Sequence, residues 1–117
     1  MNSAEQAAIA LAKANDVRAQ RKVWKDAQKG RSKDEGLDVL MDLVRECPPW
    51  AYTWRLTEVL RACPQIGAAG VRMAINCFGI GFTHQTRLGW MNERQREVVI
   101  GWAERRKNAY LSHAARR

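Results

Sequence analysis

The residues with the clearest chemical potential are five cations at helical spacing near the start of the chain. They stand at i, i+3, i+4, i+7 and i+11, and they are Arg18, Arg21, Lys22, Lys25 and Lys29. A helix with this spacing carries its positive groups along one side, where they can neutralise phosphates. The same pattern is also typical of a solvated helix face. Because Asp26 is the one acid between Val17 and Lys33, pairing within the helix cannot neutralise the stripe, and this favours a phosphate-facing surface.

The other reactive side chains predict neither catalysis nor metal binding. No Ser/His/Asp, Cys/His or paired-carboxylate set is evident, and Asp38 with Asp42 is typical of a solvated helix edge. Three widely spaced cysteines lack a Cys-x-x-Cys pair and are expected to be small buried side chains in a reducing cytoplasm: Cys47, Cys63 and Cys77. We therefore expect no enzyme activity, no cofactor, no metal and no small-molecule substrate.

Charge is concentrated at the two ends of the 117-residue chain, whose formal net charge is +8. Residues 1–33 contain eight Lys/Arg against three acids, and residues 94–117 contain seven against two. The middle, residues 34–93, contains five against seven. This distribution favours a polyanionic partner. No run approaches the ~18 apolar residues of a membrane span, and no signal peptide is recognisable, so we expect a cytoplasmic protein without a membrane partner.

Two short helical patterns meet at a turn between Cys63 and Gly67. Leu56, Val59, Leu60 and Cys63 give one apolar stripe, and Val71, Ala74, Ile75 and Phe78 give the other, each at i, i+3, i+4, i+7. Pro64 is expected to end the first helix, and Gly67 can adopt a positive φ. The amides at the start of the second helix suit a phosphate. A plain helical hairpin with a proline–glycine connector explains the same pattern.

The rest of the chain is also helical in pattern, which predicts an all-α fold. A long helix is expected from about Ala4 to Lys29, capped by Asn2 or Ser3 with Gln6 at the capping-box position. Its weak apolar seam comprises Ala10, Ala14, Val17 and Trp24. We assign residues 1–31 to this basic N-terminal helix and residues 32–117 to a compact four-helix domain.

Capping signals mark the other helices of that domain. Ser32 with Glu35 opens a second helix that ends before Pro48, and Asn92 with Gln95 opens the last one, which runs to about His113. Three aromatic residues lie between the second helix and the hairpin: Trp50, Tyr52 and Trp54. They could stack on bases. Because they follow two prolines and aromatic side chains dominate core burial, we prefer an aromatic plug that fills the core between the helices. The glycine-rich stretch 79–90 is expected to be a loop. The inward face of the last helix should comprise Val98, Val99, Trp102 and Ala103.

These residues resemble the actinobacterial integration host factor family, whose members are nucleoid-associated proteins with a helix-two-turns-helix module. The resemblance covers roughly residues 10–108. It is specific in the run from Arg55 to Ile80, which includes Pro64-x-Ile66-Gly67, and at Arg94-Gln95-Arg96. It implies binding of duplex DNA through backbone phosphates, with low sequence specificity and some bending.

Charge and resemblance together predict the following DNA-binding residues: Arg18, Arg21, Lys22, Lys25, Lys29, Gln65, Gly67, Ala68, Ala69, Gly70, Arg72, Arg87, Arg94 and Arg96. The chain also departs from the family. Ala68 and Ala69 stand where the family usually has lysine after the turn glycine, and the arginine-rich segment before the last helix is reduced to Arg87. Fewer charges at the turn imply fewer phosphate contacts there. Such divergence would fit a phage-encoded relative.

The preferred function is therefore that of a nucleoid-associated, architectural DNA-binding protein with double-stranded DNA as its partner. One alternative is an RNA- or ribosome-associated binding protein, because backbone contacts discriminate poorly between the two nucleic acids. Another is a phage protein that uses its tryptophans to capture a host factor.

Overall fold

The computed structural model describes residues 2–115, without the side chain of Ala115, and is all-α as predicted. Its five α-helices in this range are α1 (Ser3–Gln28), α2 (Lys33–Glu46), α3 (Leu56–Ala62), α4 (Gly67–Phe78) and α5 (Glu93–Ala115). Short 3₁₀ turns occupy Pro49–Ala51 and Leu88–Trp90. One isolated antiparallel bridge joins Arg55 to Arg87. Residues 116 and 117, which belong to the predicted C-terminal domain, lie outside the described residues.

Helix α1 is long, as predicted, and only its second half is packed. The Asn2 side chain accepts a hydrogen bond from the Glu5 amide at 2.8 Å, so the capping-box partner is Glu5 and not Gln6. Every residue from 2 to 13 is exposed, and the described chain is 63 Å long. Ala10 was therefore wrongly assigned to the seam, whereas Ala14, Val17 and Trp24 are half-buried as part of it.

Helices α2 and α5 form the most extensive helix pair and pack antiparallel. Lys33 Nζ lies 4.9 Å from the Tyr110 ring centroid, and Lys107 Nζ lies 2.7 Å from Asp38 Oδ1. The Ser32 hydroxyl caps α2 through the Glu35 amide, as predicted. On α5 the four residues predicted to face inward do so: Val99 and Ala103 are fully buried, and Val98 with Trp102 packs against the core.

The predicted hairpin is present as α3 and α4. All eight residues of its two stripes are buried, which fits two short amphipathic helices packed face to face. Helix α3 ends at Ala62, and Cys63 is extended immediately before Pro64, because proline disfavours helical geometry in the residue before it.

The predicted aromatic plug is correct for two of its three residues. Trp54 is buried and its ring meets Trp24 edge-on at 5.5 Å, while the half-buried Trp50 lies 6.1 Å from Trp54. Tyr52 was wrongly placed in the core, since 51 % of it is exposed. Its ring instead covers Gly89, where a Cβ would lie 2.2 Å from a Tyr52 ring carbon.

The prediction that all three cysteines are buried is correct for one of them. Cys63 is buried, Cys47 is half-buried and Cys77 is exposed on α4. Cys77 follows Ile75 by two positions, so it lies on the opposite side of α4 from the buried stripe.

Candidate functional site

The turn between α3 and α4 leaves the first turn of α4 open. Gln65 and Gly67 both have positive φ values, 61° and 67°, so the backbone reverses sharply around the buried side chain of Ile66. No side chain caps α4 at Ile66, and Gly67, Ala68 and Ala69 are exposed. The amides of the first helical turn have no partner within the helix. They therefore offer hydrogen-bond donors and the positive end of the helix dipole to a ligand.

An open groove of about 810 Å³ begins at this turn and is bordered by α1, α3 and α4. Its walls carry three cations, Lys25 from α1, Arg61 from α3 and Arg72 from α4, together with His84 from the following loop. Thr57 adds a hydroxyl, and Glu58 is the one carboxylate on its lining. Among the Lys, Arg, Asp and Glu side chains of the lining, positive groups outnumber negative ones by three to one. The groove is suited to a phosphate chain.

The positions of two of these groups follow from the helical repeat. The buried stripe of α3 is Leu56, Val59 and Leu60, which leaves Thr57 and Arg61, four residues apart, on the outer side. The predicted site omitted Arg61 and His84. The sequence pattern does place Arg61 on the exposed side of α3, where it can make one phosphate contact, whereas no local pattern would place His84 beside the turn.

The predicted basic stripe of α1 does not act as one free surface. Arg21 faces inward and is half-buried: its Nε donates to the Trp50 carbonyl oxygen at 3.0 Å and its Nη2 donates to the Thr53 hydroxyl at 2.9 Å. Burial lowers the pKa of Arg21, with the nearby Arg87 adding to the effect and Glu58 opposing it. Arg21 therefore anchors α1 to the domain.

One acid pairs with two of the remaining stripe residues. Asp26 Oδ2 lies 2.6 Å from Lys22 Nζ, and Asp26 Oδ1 lies 3.3 Å from Lys29 Nζ. These contacts lower the pKa of Asp26 and raise the pKa of Lys22. One carboxylate cannot neutralise two lysines, so the stripe of five cations keeps an excess of positive charge, as expected from the sequence. Arg18 is exposed and donates to Asn15, and the exposed Lys25 lines the groove.

Of the predicted DNA-binding residues outside α1, six lie at the α3–α4 turn and three lie elsewhere. Gln65, Gly67, Ala68, Ala69, Gly70 and Arg72 lie together at the turn or in the first two turns of α4. Arg87 is half-buried, donates to the Thr53 carbonyl oxygen and stacks 5.2 Å from the Trp90 ring centroid. Arg94 is exposed, but Arg96 is half-buried and lines a separate groove with Glu93 and Glu97. The structure does not bring Arg96 to the groove beside α4.

The chain matches no protein-family model, no curated protein and no solved structure. The resemblance to the actinobacterial integration host factors thus stays a prediction from the motif residues. Within residues 2–115, no helix has the length and apolar character that crossing a membrane requires. The same range contains no cluster of three or more His, Cys, Asp or Glu side chains arranged for a metal ion.

Proposed function

We propose that this protein binds double-stranded DNA through its phosphates, with low sequence specificity, as an architectural, nucleoid-associated protein. The observation that carries the proposal is the groove beside the open first turn of α4, where Lys25, Arg61 and Arg72 converge. Contacts of this kind position a duplex but carry no sequence information. The resemblance to the integration host factors adds bending of the bound duplex.

The groove also explains how the chain could bind DNA with alanines after its turn glycine. Ala68 offers backbone amides rather than charge, while Arg61 and Arg72 stand on either side of it in sequence and line the same groove. Cations from three helices supply the positive charge that the turn itself lacks. Lys25 contributes from α1, so the N-terminal helix and the hairpin form one surface.

Binding of a short duplex, measured by fluorescence anisotropy over a salt series, tests the proposal. If ~5 cations reach phosphates, log K should fall with log salt at a slope of about −4 to −5. Arg61→Ala and Arg72→Ala should each weaken binding to all sequences equally and reduce the steepness of the slope by about 1.

Arg105→Ala is the matched control, because Arg105 is an exposed arginine on α5 outside the groove lining. It should leave the slope nearly unchanged. A salt-independent affinity, or equal losses in all three variants, would contradict the proposal. Competition with structured RNA separates the RNA-binding alternative, which predicts that RNA displaces the duplex efficiently. Bending is measured by energy transfer between dyes at the duplex ends, where a distance unchanged by the protein would exclude it.

A further inference from the structure

The first half of α1, residues 3–13, has an exposed surface with no packing partner in the described chain. Helix α1 contacts the 3₁₀ turn Pro49–Ala51 and α3, and its half-buried and buried residues begin only at Ala14. Two large apolar side chains are exposed in the free half: Ile9 at 44 % and Leu11 at 60 %. Since a helical segment this short is marginal in water by itself, packing is the main source of stability open to it.

The second half of α1 borders an apolar groove of about 410 Å³. Its walls are mainly alanine methyl groups, Val23 and two indole rings, with one amide and a cation: Ala19, Gln20, Val23, Trp24, Ala27, Trp50 and Arg31. Val23 is 70 % exposed. This groove and the cationic groove lie on opposite sides of the line along which α1 packs on the domain, because Lys25 follows Trp24 by 100° and Val23 precedes it by the same angle.

The free half and the apolar groove share one face of α1. Ile9, Ala12, Asp16, Ala19 and Val23 recur at intervals of three and four residues, the spacing of a helix–helix seam. When two α1 helices are placed antiparallel with Ile9 opposite Val23 of a second copy, each Ile9 meets an apolar groove. The overlap spans residues 5–27, or about 34 Å of helix.

Two charge pairs along this seam are complementary in the antiparallel arrangement, whereas the two Asp16 carboxylates are like charges that oppose each other. Glu5 of one copy falls opposite Ala27 of the other, one turn from the groove cation Arg31. Lys13 of one copy falls within a turn of Asp16 of the other. The two Asp16 carboxylates meet near the two-fold axis, where each already accepts a hydrogen bond from its own Gln20 Nε2 at 3.0 Å and is approached by the opposing Lys13. A parallel arrangement would instead leave each Ile9 beside the Ile9 of the other copy and leave both grooves open.

We propose that a second copy of this chain occupies the apolar groove. The two α1 helices then form an antiparallel, two-fold symmetric dimer, in which each Ile9 packs into the groove beside Val23 of the other copy. The interface is isologous, which makes it closed rather than filament-forming. It does not depend on the proposed DNA binding. The cationic face of α1, which includes Arg18 and Lys25, points away from the seam and stays accessible in both copies.

Sedimentation equilibrium tests the dimer directly. The wild-type chain should have a mass of about twice 13.3 kDa at micromolar concentrations. Ile9→Asp and Val23→Asp should shift it to the monomer mass, and folding should be retained because both side chains are exposed. Leu11→Asp is the matched control: Leu11 is also a large apolar residue of the free half and is more exposed than Ile9, but it lies about 200° around the helix from Ile9 and should leave the dimer intact.

A disulfide test fixes the orientation. In a Cys77→Ser background, the double variant Ile9→Cys/Val23→Cys should form a covalent dimer on mild oxidation. The two positions are 14 residues apart on one helix, about 21 Å, and cannot bridge within one chain. Leu11→Cys/Val23→Cys should remain monomeric on denaturing gels. A monomer mass at all concentrations, a dimer that Ile9→Asp leaves intact, or equal disruption by Leu11→Asp would overturn the proposal.

Discussion

The side-chain amide of Gln28 donates a hydrogen bond to the backbone carbonyl oxygen of Gly36 at 3.1 Å, inside the core. Gln28 is fully buried, and the same Nε2 lies 3.6 Å from Cys63 Sγ. Its Oε1 accepts from Arg31 Nη1 at 3.4 Å. One polar side chain thus joins the end of α1, the start of α2 and the end of α3. It ties the N-terminal helix to the hairpin that borders the proposed DNA-binding groove.

Replacing Gln28 by alanine should destabilise the fold. The change removes the bond to Gly36 and leaves a cavity at the junction of three helices, so we expect a loss of about 1–3 kcal/mol in the free energy of unfolding. Denaturant titration measures it. Gln6→Ala in the exposed first half of α1 is the control and should change stability by less than about 0.5 kcal/mol.

The close approach of Gly36 to Pro64 makes a second prediction. A Cβ at position 36 would lie 2.5 Å from Pro64 Cδ, and the rigid ring cannot move aside. Gly36→Ala should therefore cost about 1–3 kcal/mol of stability, although alanine is the better helix former. At Gly30 a Cβ would meet nothing within 4 Å, so Gly30→Ala should be neutral or slightly stabilising in the same titration. Equal stability of the two variants would contradict the tight packing of Pro64 against α2.

Substitutions at Gly67 can distinguish strain in the backbone of the turn from steric blocking of an approaching phosphate. Its φ is +67° and a Cβ there would meet nothing within 4 Å of the chain, so any cost to folding comes from the backbone alone. Gly67→Val should destabilise the hairpin by about 1–2 kcal/mol because a β-branched residue is strained in this conformation. Gly67→Asn should fold nearly as well as the wild type, since asparagine tolerates positive φ.

If a phosphate approaches the amides at this turn, Gly67→Asn should nonetheless bind DNA about tenfold more weakly than the wild type, because its side chain occupies the approach that glycine leaves open. Circular dichroism checks folding, and anisotropy checks affinity. If a folded Gly67→Val or Gly67→Asn variant binds DNA with wild-type affinity, no phosphate approaches these amides, and the segment from Pro64 to Gly67 only connects α3 to α4.

Asp26 should act as an internal competitor of phosphate on α1. It pairs with Lys22 and Lys29, and these pairs lower its pKa, so it stays ionised well below neutral pH. Asp26→Asn removes the competing charge and frees both ammonium groups. We expect tighter DNA binding and a steeper salt slope, by up to about 2 if both lysines reach phosphates. Glu46→Gln, which removes one negative charge from an exposed residue of α2 outside the groove lining, should have a smaller effect on affinity and slope. An identical effect would show that the change in net charge alone explains the tighter binding.

Cysteine reactivity should follow burial. Burial raises the pKa of Cys63 from its usual 9.0 to about 12, with the Gln28 hydrogen bond opposing this. A thiol reagent at a pH of about 8 should therefore label the exposed Cys77 in the folded protein and Cys63 only after unfolding, which peptide mass mapping shows.

The raised pKa also links Cys63 to stability at alkaline pH. The folded state holds the thiol proton more tightly than the unfolded state, so this contribution is fully present below pH 9 and is lost as the pH rises from 9 towards 12. In Cys63→Ala the fall in unfolding free energy between about pH 9 and about pH 11 should be shallower than in the wild type. If the unfolding free energies of Cys63→Ala and the wild type fall in parallel with pH, Cys63 ionisation does not contribute to the alkaline loss of stability.

The sequence by itself determined the helices and their buried faces. Periodicity identified Leu56, Val59 and Leu60 on α3 and Val99 with Ala103 on α5, because a 3.6-residue repeat can bury only one side of a helix. Pro64 and Ser32 set helix ends through local backbone chemistry, which needs no tertiary information. DNA binding stays a prediction, since charge and motif suggest a partner without placing the charges together.

Only the tertiary structure decided which polar residues face inward and which cations meet. Arg21 and Gln28 look like surface residues in the sequence, yet one bonds the Trp50 carbonyl and the other is fully buried, because neighbouring helices supply partners that local patterns cannot contain. Lys25, Arg61 and Arg72 are far apart along the chain and converge through the packing of α1, α3 and α4. A helical repeat fixes the direction of each side chain around its own axis, whereas the packing of the axes fixes what that side chain touches.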